Sequence, residues 1–69
     1  MKLSTRNIVK GKVVDLKEDA LMAKVKIDIG NGNILTAIVT AEAVKDLGVK
    51  VGENISALIK ATSVMLAKE

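Results

Sequence analysis

Three places in the chain gather hydrogen-bond donors. Near the N-terminus, Ser4-Thr5-Arg6-Asn7 are four polar side chains in succession. If extended, that segment turns Ser4 and Arg6 to one side and Thr5 and Asn7 to the other. A guanidinium beside a hydroxyl can hold an oxyanion through parallel charge-assisted bonds. Lys60 stands among aliphatic neighbours in Ile55-Ser56-Ala57-Leu58-Ile59-Lys60-Ala61, where a partly desolvated ammonium would seek an anion. Thr40 precedes a helical pattern whose first amides, those of Ala41, Glu42 and Ala43, lack partners within the helix and lie at its positive end. Each place also has a plain reading. These are a solvated tail, a lysine that snorkels or guards a sheet edge, and an ordinary cap in which the Thr40 hydroxyl takes up one amide.

Taken together, the three share one chemistry. A pocket of donors suits a fully deprotonated oxyanion and penalises hydrogen phosphate, whose remaining proton would meet another donor. Size would have to exclude sulfate. Glu42 is compatible with an anion at the helix start only if its carboxylate turns outward. The chain has neither His nor Cys, so a histidine base, a cysteine nucleophile and a zinc staple are all excluded. An enzyme is the least expected class.

The elements that must position these residues follow from period-two patterning. Leu21, Ala23, Val25, Ile27 and Ile29 alternate with Met22, Lys24, Lys26 and Asp28, which predicts a half-buried strand. Gly30-Asn31-Gly32-Asn33 then reads as a hairpin turn; a phosphate loop would need Gly-Lys-Ser/Thr ahead of a helix, and a strand follows instead. That strand, Ile34 to Thr40, is apolar on both faces and predicts cover by another subunit. Upstream, Ile8 to Leu16 forms a strand whose alternation slips at Val13-Val14 beside Gly11, a bulge signal. Thr40 as N-cap, Val44 and Leu47 three apart, and Gly48 as C-cap predict a helix over 41–47. A strand over Ile55–Ala61 follows, with a kink at Thr62-Ser63 and a last strand over Val64–Ala67. The expected fold is mainly β, an OB-like five-stranded Greek-key barrel with one short helix between the third and fourth strands.

Sixty-nine residues allow a single domain, 1–69. Lone domains of this size usually need staples or partners, yet this chain is 49% hydrophobic with no Phe, Tyr or Trp. Aliphatic surface in that amount predicts a homo-oligomer. The net charge of +3 suits an anionic partner without singling out nucleic acid, and the lack of aromatics argues against a single-strand binder. Lys10, Lys12, Lys24 and Lys26 read as a solvated sheet face. No run approaches the roughly 18 apolar residues of a membrane span, and with no leader-like stretch the expected location is cytoplasmic.

Ser4-Thr5-Arg6-Asn7 with Lys10-Gly11-Lys12-Val13-Val14, and then Lys60-Ala61-Thr62-Ser63-Val64-Met65, resemble the molbindins, Mop-type molybdate- and tungstate-binding proteins of the TOBE-domain family. The resemblance spans essentially the whole chain, including the Gly-Asn-Gly hairpin, Thr40, Leu47-Gly48 and Gly52-Glu53. It implies a hexamer, a trimer of dimers, that holds molybdate or tungstate between subunits for intracellular molybdenum storage or homeostasis. It further implies that Ser4, Arg6, Lys60 and the Ala61 amide come from one subunit, and Thr40 with the Ala43 amide from its neighbour. Some relatives carry a hydroxyl residue in place of Ala43 and of Ala61, so only the backbone can serve there. Asn7 is a candidate for a second site on a symmetry axis. The anion would be held through its oxygens, without direct ligation of the metal. The alternatives are an OB-type nucleic-acid-binding module and a structural oligomer without ligand.

Overall fold

The computed structural model describes residues 6–69; Ser4 lies outside the described residues. Its strands are β1 (Asn7–Glu18), β2 (Met22–Gly30), β3 (Asn33–Thr40) and β4 (Asn54–Ile59), with helix α1 (Ala41–Leu47) between β3 and β4. All pairings are antiparallel and the sheet order is β3-β2-β1-β4. Three consecutive neighbouring strands with the fourth returning beside the first make a Greek key.

Alternation decides which face is buried. Val13, Ala23, Val25 and Ile27 are buried on the inner face, with Leu16, Leu35, Val39, Ile55 and Ala57 packed partly buried around them. Lys10, Lys12 and Lys24 are exposed on the outer face, and Lys26 is half-buried there. The hairpin turn uses positive φ at Gly30, Asn31 and Gly32 (104°, 54° and 76°), the left-handed region such a turn needs.

The β1–β2 register shifts between Val13 and Asp15, so Val14 is the extra residue of the bulge that the slipped alternation predicts. There β1 bends toward the loop ahead of β4: the Val13 amide donates to the Glu53 carbonyl at 2.9 Å, and the Gly52 amide donates to the Val13 carbonyl at 2.8 Å. Gly11 is required by packing, because a Cβ there would lie 2.5 Å from the Asp28 carbonyl oxygen.

One expectation is corrected. The described residues form four strands, not five: β4 ends at Ile59, a 3-10 turn spans Ala61–Ser63, and 64–67 join no strand among the described residues. The Ser63 amide donates to the Lys60 carbonyl at 2.9 Å, which turns the chain away from the β4 line. Since β3 and β4 are both sheet edges, the barrel is open on that side. Of the two apolar residues spaced three apart on α1, Val44 is buried and Leu47 is 76% exposed.

Candidate functional site

The β1–β4 register brings two of the expected ligands together. Asn7 stands opposite Ile59 at the start of the ladder. Arg6 and Lys60 are the next residues outward, just beyond the paired ends of β1 and β4, and continued alternation would turn both to the outer face. Both residues are exposed. Two cations on neighbouring strand ends repel when they approach, and an anion between them would relieve that repulsion.

Asn7 has a structural duty at the same corner. Its side-chain amide donates to the Ile59 carbonyl at 3.1 Å, clamping the end of β4 on which Lys60 depends. Beyond Lys60, Ala61 opens the 3-10 turn, and Thr62 and Ser63 add exposed hydroxyls next to it. The sequence pattern treats Thr62-Ser63 only as a kink. No Gly or Pro marks the turn, and its one local signal is a pair of short hydroxyl residues after an apolar strand.

Thr40 lies elsewhere. It ends β3 opposite Met22, the first residue of β2, whose neighbour Ala23 pairs with Glu18 at the far end of β1. The full length of β1 thus separates Thr40 from the Arg6–Lys60 corner, and β3 and β4 are opposite edges of the sheet. Within one chain the two groups of donors do not meet.

The helix start is also more occupied than its sequence suggests. The Ala43 amide, expected to face a ligand, donates to the Thr40 hydroxyl oxygen at 3.0 Å. The Ala41 amide donates to the Leu21 carbonyl at 2.9 Å. A hydroxyl that accepts from Ala43 still keeps its own proton to donate, so Thr40 is the group here that can face outward. Nearby, the Asp19 carboxylate accepts the amides of Leu21 at 2.8 Å and Met22 at 2.9 Å, closing the β1–β2 turn. The Met22 bond, then the Leu21 bond, hold the Asp19 pKa below the usual carboxylate range.

Among the described residues, no group of three or more His, Cys, Asp or Glu side chains could hold a metal ion, and no helix is long and apolar enough to cross a membrane. The TOBE domain model matches residues 3–66, nearly the whole chain. The chain belongs to the TOBE-domain family. Among relatives of this TOBE domain, a probable molybdenum-pterin-binding protein of Haemophilus influenzae is 51% identical over 69 residues, covering all of both chains. A molybdate-binding protein from Sporomusa ovata superposes with TM-score 0.91 at 35% identity, covering 99% of this chain and 100% of its own. The cytoplasmic molybdate-binding protein ModG, in a form with molybdate bound, superposes with TM-score 0.88 at 42% identity, over 94% of this chain and 46% of its own.

Proposed function

We propose that this TOBE domain binds molybdate or tungstate through hydrogen bonds to the oxygens, at sites shared between copies of a homo-oligomer arranged as a trimer of dimers. Its role is cytoplasmic storage or homeostasis of molybdenum, a binding function and not catalysis. The observation that carries the reading is the division of the donors. Arg6 and Lys60 meet at one corner of the sheet while Thr40 stands at the opposite end, so each chain offers two half-sites and no whole one. Ser4 and the Ala61 amide would join the first half. Thr40 would form the second, with Ala43 fixing its hydroxyl. Asn7, already bonded to Ile59, would hold the first half in shape.

Three further observations favour this reading. The relatives named above include a protein with molybdate bound; and since this chain has no aromatic side chain on which a pterin ring could stack, the oxyanion is the better match to its donors. The chain's surface of 5812 Å² also exceeds the about 4,200 Å² typical of a folded monomer of its mass. The excess is roughly 1,600 Å², where a stable interface takes about 800 Å² from each partner.

Calorimetric titration with molybdate tests the reading. Molybdate and tungstate should bind and displace each other, whereas phosphate should compete poorly at pH 7, where the proton it carries faces only donors. Effective phosphate competition would require an acceptor in the pocket and would contradict the donor set. Absence of heat with molybdate would reject the function itself.

A further inference from the structure

Charges on the outer face of the β1–β2 ladder are matched, with one exception. Lys12 stands opposite Asp28 and Asp15 opposite Lys26, each a cation against a carboxylate, while Lys10 on the β4 side stands opposite the neutral Ser56. Opposite charges favour such a register and like charges directly opposite one another disfavour it. Lys17, however, stands opposite Lys24. Both are exposed, and directly opposed residues have Cβ atoms about 5 Å apart.

The mismatch lies beside Thr40. Across the β2–β3 ladder Thr40 pairs with Met22 and Ile38 with Lys24, so these four residues share the outer face. Lys24 is therefore the diagonal neighbour of Thr40, at a spacing of about 7–8 Å that a long side chain can cross. Lys17, Lys24, Met22 and Ile38 also line one surface cavity of about 290 Å³, together with Glu18 and Asp19.

The bonding of the Thr40 end is complete, but as an anion site it lacks charge. Its free donor is a neutral hydroxyl, because the Ala43 and Ala41 amides already donate to Thr40 and Leu21. Three exposed carboxylates surround it: Glu18 and Asp19 at the β1–β2 turn, and Glu42 in the first turn of α1. Lys45 stands three residues beyond Glu42 on the helix, a spacing at which opposite charges offset one another. Without Lys17 and Lys24, Glu18 and Asp19 would repel a dianion approaching Thr40.

We propose that Lys24, backed by Lys17, is the cationic arm of the Thr40 half-site, drawing the oxyanion to the hydroxyl against the carboxylates of the turn. The inference rests on the oxyanion reading above and adds two residues to it. The two ammonium groups repel each other in the free chain, and a dianion beside them relieves that repulsion. Removing either lysine therefore weakens binding without weakening the fold. The sequence pattern places Lys24 in a solvated row with Lys10, Lys12 and Lys26; the register is what sets it apart.

Lys24→Gln, Lys17→Gln and the double variant are compared with Lys50→Gln, which removes the same charge from an exposed position in the loop ahead of β4. Calorimetry with molybdate is run at ionic strengths of about 0.01 M and 0.15 M, where charges are screened over about 30 Å and 8 Å. At the lower ionic strength the double variant should bind about threefold to tenfold more weakly than the parent, with Lys24→Gln giving most of the loss. The loss should shrink at the higher ionic strength. Lys24→Arg should bind as the parent does, and Lys50→Gln should stay within about twofold of it. The thermal midpoint of the double variant without ligand should stay level or rise. Equal affinities in parent and double variant, a loss equalled by Lys50→Gln, or a loss undiminished by salt would each overturn the proposal and leave the oxyanion site itself standing. A parent that gives no heat with molybdate would reject both.

Discussion

The two ends of the sheet are built on different terms. At the Thr40 end four backbone donors have acceptors in their own chain: Ala43 donates to Thr40, Ala41 to Leu21, and Leu21 with Met22 to Asp19. At the other end, Arg6 and Lys60, two cations, follow directly on the last paired residues of β1 and β4. The first end is settled by folding alone, as caps and turns are. The second is placed by folding but not balanced by it. Where local bonding is complete, substitution should cost stability; where charge is left over, substitution should cost binding.

Lys60→Met should have the largest effect and separate binding from stability. Methionine keeps a flexible unbranched stem, so packing changes little, but a charge-assisted hydrogen bond worth about 1.5–3 kcal/mol is lost. Calorimetry should therefore show molybdate affinity falling at least about tenfold. The thermal midpoint without ligand should stay level or rise, because a like-charge neighbour of Arg6 has been removed. A lower midpoint with unchanged affinity would reverse the roles assigned to the two ends.

Thr40→Val should do the converse at the far end. The Ala43 amide loses its acceptor, and loss of an N-cap costs about 1 kcal/mol. In a domain of this size that lowers the melting midpoint by about 4–8 °C. Thr40→Ser should restore most of it. Affinity should fall in the valine variant as well, because the hydroxyl proton is the half-site's donor.

The smallest effect concerns Asp19. Its folded-state pKa is depressed by the Met22 and Leu21 amides, so its contribution to stability is present above the unfolded value of about 3.9 and lost as pH falls through the folded value. Asp19→Asn keeps an acceptor oxygen but does not titrate. Melting curves taken through that acid range should show the parent losing its slight advantage over the variant, with molybdate affinity at neutral pH the same in both. A constant difference across the range would mean that the carboxylate's charge contributes nothing to the turn.

What could be read from the sequence was local. The β2 alternation, the Gly-Asn-Gly turn, the slip at Val14 and the Thr40 cap each depend on residues within a few positions of one another, and each stands in the structure. The end of β4 at Ile59 was harder, because Ala61-Thr62-Ser63 carries neither Gly nor Pro to announce a turn. Leu47 follows the helical spacing of a buried residue, but the barrel side it faces is open, so it stays exposed. Whether residues 64–67 form a strand is decided by a pairing edge, which local pattern does not contain. The candidate site divides in the same way. Donor types were visible in Arg6, Thr40 and Lys60, but the juxtaposition of Arg6 with Lys60 comes from a register linking positions far apart in the chain. Whether the Ala43 amide serves a ligand or the cap is a choice between two acceptors, and only geometry shows the Thr40 hydroxyl taking it.

In the assembly proposed above, the unbalanced end of one chain meets the Thr40 end of another, with the anion between them. Anion binding must then stabilise the assembly: at a free ligand concentration 100 times the dissociation constant, each site adds about 2.7 kcal/mol. Light scattering through a dilution series, with and without molybdate, measures this most directly. The protein without ligand should dissociate at a higher protein concentration than the molybdate-loaded protein. Superimposable dissociation curves, in a sample shown by calorimetry to bind molybdate, would place the whole site within one chain and contradict the account.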